Sequence, residues 1–465
     1  CGSPVIDTVS GKIMGIHVAT AGSVDDFVPF TRDCLPPSNG FEMPDQRIVD
    51  DIENPALKVN QLNANYVSRK SNLVQSPLFN IFPCTKVPAP LKRNSPNGDP
   101  LPNGFAKGFP TSKPYPQADV DRAVEFVSSA VRAYKVSSIG RRELTHDETL
   151  NGVPGELHGM ILSTSAGTPY KKKCDKPGKY SIIGMDENGH RDWTDEEISL
   201  EVQDRIDIIE KDLAKGIVPA EYMTEQLKDE TIKLAKAEIG KTRTFRTLPV
   251  TMNYLYRKYF GAMVAAVEKN PDQNEVALGL NVHGPHWTRL YHRLNRFGGN
   301  VLAGDYANWD RRLSSQLIFT LKRICAAFYG YESVERDTLI DYLVSSPVIL
   351  EDLMYYPRQG LPSGVAMTTL FGSLINYVVI TLAIAHMLEK AGRLDLLRHD
   401  MMEFTFYGDD HIVALHKELQ KYVNFMLVQE YMTEYGLGYT PADKSDRKFE
   451  FENLCDVPYL KRTFK

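Results

Sequence analysis

Several protein classes are excluded by what this chain has little of. Its six cysteines (Cys1, Cys34, Cys84, Cys174, Cys325 and Cys455) are scattered over 465 residues with no C-x-x-C pair. They form neither a disulfide framework nor a zinc module, and they fit a reducing cytosol. No signal peptide is present, and the chain opens Cys1-Gly2-Ser3 without Met, as an internal piece of something longer would. Repeats and low-complexity tracts are absent. Basic residues are not in excess: the net charge is −5 and the pI about 6.2, which taken alone argues weakly against nucleic acid. Only one apolar run approaches the length of a membrane span, residues 370–388. Ser373, Asn376, Thr381 and His386 interrupt it and a Pro-Ser-Gly loop precedes it. It therefore reads as a buried core helix, with no transmembrane segment expected.

What is present points to phosphate chemistry. Hydrophobic residues make up 42% of the chain, ample for a large core and two or three subdomains. Tyr407-Gly408-Asp409-Asp410 lies between the strand-like runs Phe404-Thr405-Phe406 and Ile412-Val413-Ala414-Leu415. Adjacent carboxylates repel unless cations neutralise them, and hard oxygen ligands at a hairpin tip suit Mg²⁺. A solitary Asp-Asp pair is more often a solvated turn. Here a second acidic segment precedes it: residues 300–305 read as a short strand ending in Asp305, with Asp310 five residues on. A carboxylate at a strand's C-terminal end projects into the crevice where ligands bind. Between the two segments lies the loop Gly360-Leu361-Pro362-Ser363-Gly364. Basic residues gather in three clusters: Lys228, Lys233, Lys236, Lys241, Arg243 and Arg246; Lys171, Lys172, Lys173, Lys176 and Lys179; and Arg289, Arg293 and Arg296. Each alone is a solvated face, but bracketing an acidic site they read as a phosphate channel.

In this order the motifs resemble the palm of RNA-dependent RNA polymerases from picorna-like positive-strand RNA viruses, the dicistrovirus- and marnavirus-like branches above all. Asp305 and Asp310 match the family's Asp-x₄-Asp motif, Ser363, Gly364 and Thr368 its Ser-Gly-x₃-Thr motif, and 407–410 its Gly-Asp-Asp motif. Residues 440–445 match motif D and 459–464 the primer grip. Residues 228–243 resemble the basic fingers motif and 163–170 the template-entry motif. The resemblance implies an α+β right-hand polymerase fold: fingers, a palm with an antiparallel sheet, and a truncated thumb, because the chain stops one residue after the primer grip. The implied activity is template-directed RNA synthesis with two ions, Mg²⁺ or Mn²⁺. Asp305, Asp409 and Asp410 would be metal-binding and catalytic. Lys444 would be either a general acid for pyrophosphate or a simple counter-charge. Lys236 and Arg243, presented by an extended fingers loop, would contact the triphosphate, and Asp310, Ser363, Gly364 and Thr368 would bind substrate at the ribose. Leu460, Lys461 and Arg462 would grip the primer. Where many members carry Asn, this chain has Gly372, so ribose reading falls to Ser363, Thr368 or Ser373.

The implied partners are RNA template and primer, nucleoside triphosphates, a genome-linked peptide primer (VPg) and a viral replication complex on membranes in the host cytoplasm. Residues 1–25 resemble the C-terminal end of the same viruses' chymotrypsin-like cysteine protease, with Cys1 as nucleophile and His17 in the substrate pocket. A thiol without its general base is inert, so this piece reads as a remnant. Residues 26–60 read as a junction, 61–297 as fingers with interleaved palm elements, and 298–465 as palm, with the catalytic core at about 298–421. Helical patterns cover 118–138 and 197–239. Three rival readings are a cysteine protease, a reverse transcriptase and an inactive RNA-binding remnant.

Overall fold

The computed structural model describes residues 71–76, 85–92, 100, 112–350, 353–357 and 359–464, together with the backbone of the strands Pro4–Ile6, Ile13–Ala21 and Val24–Pro29. These three strands form one antiparallel sheet in which His17 is paired with Phe27. Cys1 and the side chain of His17 lie outside the described residues, as do 30–70 and so most of the expected junction. The chain divides into two compact units that cut across the contiguous boundaries expected from sequence. One gathers 1–109, 221–247 and 345–358, and the other 110–220, 248–344 and 359–465.

In the first unit, a four-stranded sheet runs Leu353–Tyr355, Val348–Leu350, Met223–Leu227, Thr244–Thr247. Met223–Leu227 buries alternate residues, the period-2 signature of a half-covered strand. A helix across 197–239 is therefore not formed. The helix Glu197–Leu213 stops where Gly216 takes φ 71° and the amides of Gly216 and Ile217 close onto Leu213 O and Asp212 O. That left-handed glycine terminates a helix. The charged pattern beyond it belongs to strands Met223–Leu227 and Thr231–Lys233 and the short helix Leu234–Ala237.

The second unit is built around the helix Thr368–Lys390, which is apolar on all sides and buried along nearly its whole length. In its most apolar window 94% is buried, so the run at 370–388 finds its apolar partners inside the protein. It packs against the helices Gln117–Arg132 and Ser315–Tyr329 and the strand Met402–Tyr407. Alternation along that strand decides the contacts. Phe404 and Phe406 face Tyr377 of the helix, at ring-centroid distances of 4.8 and 5.0 Å. On the opposite face Thr405 meets the buried hydroxyl of Tyr459 at 3.1 Å. There Ile412, Ala414, Val301 and Tyr459 pack on Leu290 and Leu294 of the helix Pro285–Leu294. The sheet is antiparallel in the order Met402–Tyr407, Asp410–Leu415, Asn300–Leu302, Glu452–Asn453. Past Ala303 the chain leaves it, and Gly304–Ala307 pairs with Gly438–Pro441, aligning Asp305 with Thr440.

Candidate active site

Tyr407 pairs with Asp410, so Gly408 and Asp409 alone make the hairpin turn. Gly408 takes φ 62°, the positive value that the first central position of a tight II′-type hairpin demands. A Cβ there would meet nothing within 4 Å, so backbone conformation, not space, requires glycine. The turn presents Asp409 and Asp410 together. Burial pushes the Asp410 carboxyl up to about 6, and the charges of Asp409 and Asp305 push the same way, with partial relief from Lys444 and Lys461. A carboxylate whose proton affinity is raised by two others beside it marks an electrostatic site for cations.

Asp305 enters from the strand Gly304–Ala307, held in place by a close approach. The Tyr439 ring lies against Gly304, where a Cβ would come within 2.1–2.4 Å of ring and hydroxyl atoms. Lys444 follows in a tight turn, with φ 60° and its amide donating to Pro441 O. Its ammonium reaches Asp305 Oδ2 at 2.9 Å, and the Lys444 side chain is 68% exposed. Among the described residues no three Asp, Glu, His or Cys side chains close on one point as they stand. The donor set nonetheless fits a hard divalent ion: oxygen ligands only, mutual repulsion, and an ammonium already neutralising Asp305. An ion held through Asp305 Oδ2 would take the place of the Lys444 ammonium.

Beyond Asp305, Asn308 adopts the left-handed conformation (φ 57°) that Asn tolerates, turning the chain so that Asp310 follows within one helical turn. The Ser-Gly loop is tied to this segment. Leu361 N–H donates to Asp310 O, Gly360 N–H to Leu313 O, and the Ser363 hydroxyl to Asp310 Oδ2 at 3.0 Å. Gly364 lies in the same loop. Thr368, expected at the ribose, directs its hydroxyl proton to Pro362 O and Val365 O and so shapes the loop. Ser373, also a candidate for the ribose, is fully buried; it donates to Thr369 O and accepts from Gly408 N–H at 2.8 Å. It supports the hairpin turn and is closed to a nucleotide. A Cβ on Gly372 would sit 3.5 Å from Gly408 Cα and from Trp309 Nε1, a buried N–H with no hydrogen-bond partner.

At the primer-grip segment, Tyr459 and Arg462 exchange backbone hydrogen bonds across Leu460 and Lys461, both with φ near 50–60°. Positive φ at two consecutive non-glycine residues is uncommon and marks a tight, strained hairpin. Arg462 contacts His283 Nε2 at 2.9 Å, and Phe464 stacks on Trp287 at 4.3 Å.

Most of the basic clusters are not free cations. Lys173 pairs with Glu201, Lys176 with Glu196, Arg289 with Asp272, and Arg293 and Arg296 with Glu403. Lys179 is buried, saturated by Ile161 O and the carbonyl and hydroxyl of Thr164, and burial lowers its pKa to about 8. It braces the template-entry segment and cannot line a channel. In the other unit, Arg243 forks onto Glu230 and Arg246 is buried beside Glu225. Lys236 is exposed on the helix Leu234–Ala237 and Arg243 just precedes a strand, so no single extended loop presents the two.

Over residues 117–465 the sequence matches the family described as viral RNA-dependent RNA polymerase. The chain belongs to that family. It is 29% identical over 347 residues to the replicase polyprotein of Drosophila C virus, covering 70% of this chain and 19% of the polyprotein. It is 28% identical over 386 residues to the genome polyprotein of Rice tungro spherical virus, covering 79% and 11%. It thus spans a small part of each polyprotein it matches. Its fold is that of the right-hand polymerases: the Sicinivirus 3Dpol RNA dependent RNA polymerase superimposes with a TM-score of 0.70 at 24% identity, over 86% of this chain and 79% of that one.

Residues absent from the sequence-derived site are Asn376, His411, Tyr306 and Tyr439, all buried around the hairpin turn. One signal was available. Ser373 and Asn376 are polar residues three apart on an otherwise apolar helix, a spacing that places both on one face.

Proposed function

We propose that this chain carries out template-directed RNA synthesis, joining a primer's 3′-oxygen to the α-phosphorus of a nucleoside triphosphate and releasing pyrophosphate. The observation that carries the reading is the meeting of Asp305, Asp409 and Asp410 in one electrostatic site, with Lys444 bonded to its edge. Phosphoryl transfers of this kind depend on positioning and charge neutralisation more than on covalent help from protein. Asp305 and Asp409, supported by Asp410, would hold two Mg²⁺ or Mn²⁺ ions. When bound, such ions lower the pKa of the attacking hydroxyl and offset charge on the leaving oxygens. Lys444, released from Asp305, then has its ammonium available to donate a proton or a positive charge to the departing pyrophosphate. Asp310 and Ser363, already hydrogen-bonded to each other, supply an acceptor and a hydroxyl suited to a 2′-hydroxyl, which both donates and accepts. Lys236 and Arg243 would bind triphosphate, and the hairpin at Leu460, Lys461 and Arg462 the primer backbone.

RNA template, primer and nucleoside triphosphates are the proposed partners. We propose in addition a genome-linked peptide primer (VPg) and a replication complex at host cytoplasmic membranes. The test is extension of one primer on one RNA template with ribo- and deoxynucleotides in separate reactions. The reading expects Mg²⁺-dependent extension with ribonucleotides strongly preferred. Equal use of deoxynucleotides, or no extension under conditions where RNA binds, would overturn it.

A further inference from the structure

Directly beneath the Gly408-Asp409 turn lies a buried hydrogen-bond network that no part of the proposed reaction uses. Gly408 N–H donates to Ser373 Oγ at 2.8 Å. Asn376 Nδ2 donates to Gly408 O at 3.0 Å and to Asp409 O at 3.1 Å. Asp409 O is approached at 3.1 Å by a second group, Nδ1 of His411. A carbonyl only accepts, so His411 carries its proton on Nδ1 and its Nε2 accepts from the Tyr439 hydroxyl at 2.7 Å. Asn376 Nδ2 lies 3.4 Å from that same Nδ1, donor facing donor, which leaves its two protons for the carbonyls. The remaining atom of the amide, Oδ1, accepts from the Tyr306 hydroxyl at 3.1 Å.

These groups lie on or beside the segments that carry Asp305, Asp409, Asp410 and Lys444. Tyr306 adjoins Asp305. Tyr439 lies opposite Tyr306 on the strand that leads to Lys444. Ser373 and Asn376 come from the helix that follows the Ser-Gly loop. Asn376, Ser373 and His411 are at most 2% exposed, so no solvent competes for these bonds. Buried polar groups with full partners hold one arrangement, since any rotation leaves a donor or acceptor unmatched. Here the groups held are the peptide units on either side of Asp409.

We infer that Asn376, His411, Tyr439 and Tyr306 are positioning residues that fix the backbone of the Gly408-Asp409 turn, and thereby set the affinity of Asp305, Asp409 and Asp410 for a divalent ion. None of them touches substrate. The inference rests on the polymerase reading for its purpose, but its primary test does not need catalysis. It is binding of Mn²⁺, followed by electron paramagnetic resonance, to the full chain and to Asn376→Leu, Tyr306→Phe and Tyr439→Phe. The two Phe variants remove one oxygen each and keep their rings, so they guard against misfolding of Asn376→Leu. Thr381→Val is the matched control: it deletes a buried hydroxyl of the same helix that donates to Tyr377 O, outside this network.

Loss of such supporting partners weakens metal binding or activity about 10- to 100-fold. The expected result is Mn²⁺ binding weakened at least about tenfold in Asn376→Leu and severalfold in each Phe variant. Thr381→Val should bind as the unaltered chain does, even if its melting temperature falls. The Mg²⁺ concentration giving half-maximal extension should rise in parallel, while affinity for primer–template stays within about twofold. Unchanged Mn²⁺ affinity in the folded Phe variants would overturn the inference, as would an equal weakening in Thr381→Val. An unaltered chain that binds Mn²⁺ but extends no primer would overturn the polymerase reading alone, and the Mn²⁺ series would still decide this one.

Discussion

The two sides of the acidic site are held in opposite ways. At the Gly408-Asp409 turn, three successive peptide groups are matched by buried neutral partners from Ser373, Asn376 and His411. At the Asp305 edge the match is an ion pair with Lys444, whose side chain is 68% exposed. Leaving a buried donor or acceptor unmatched costs about 1–3 kcal/mol, whereas an exposed ion pair contributes about 0–1 kcal/mol. The first arrangement resists change and the second exchanges readily. That division suits a site whose ligand-bearing backbone must stay fixed while its counter-charge passes from a carboxylate to a phosphate. The surface pairs of Lys173 and Lys176 belong to the exchangeable kind.

The largest expected effect comes from removing a ligand altogether. Asp409→Asn and Asp305→Asn should each lower single-nucleotide incorporation by at least about 100-fold while leaving RNA affinity near normal. Parallel loss of binding and rate would make these acids structural. Next is the packing that seats Asp305. Gly304→Ala drives a methyl into the Tyr439 ring and should cost about 2–3 kcal/mol, read as a lower denaturant midpoint at constant m-value. An unchanged midpoint would mean the ring moves aside freely.

The repulsion at the turn should be visible in the pH dependence of stability without metal. The folded-state pKa of Asp410 is raised to about 6, above its ordinary value of 3.8. The folded chain therefore holds a proton that the unfolded chain has released, and stability rises as pH falls through about 6 toward 4. The contribution is lost above about 6 and amounts to no more than about 2 kcal/mol after allowance for partial exposure. A divalent ion relieves the same repulsion, so Mg²⁺ should raise the melting temperature more at pH 7.5 than at pH 5. An equal rise at both would refute the electrostatic account. The smallest effect concerns the other unit. Glu230→Gln removes the charge that pairs with the Arg243 fork and should lower the KM for nucleoside triphosphate about threefold, in line with the modest worth of such pairs. A higher KM would show that Glu230 orients Arg243 for substrate.

How much of this was legible depended on the range of the interaction. The hairpin was readable because strand alternation and turn chemistry are local: 404–406 and 412–415 bracket a two-residue turn that needs glycine first. The core helix was readable from polar interruptions spaced through its apolar run. The end of the helix at Leu213 was signalled by Gly216 and Pro219, but the charged pattern beyond them imitates amphipathic helix and masks the alternation of Met223–Leu227. The fate of the basic residues was not legible. Lys173 and Glu201, or Arg289 and Asp272, are far apart in sequence and meet only through tertiary packing. Lys179 reads as one more surface cation until the template-entry segment is seen folded around it. Asn376 was noticed only as a break in an apolar run, and Ser373 as a break and a ribose candidate, because their partners come from the hairpin more than 30 residues away.

The most direct test of the division between fixed and exchangeable sides is a Mn²⁺ titration of three proteins: the unaltered chain, Asp409→Asn and Lys444→Met. If the hairpin carries the ion and Lys444 only occupies Asp305 in its place, Asp409→Asn should weaken binding about tenfold or more. Lys444→Met should bind as tightly as the unaltered chain or more tightly, because the competing ammonium is gone. Weakened binding in Lys444→Met together with unchanged binding in Asp409→Asn would contradict the account.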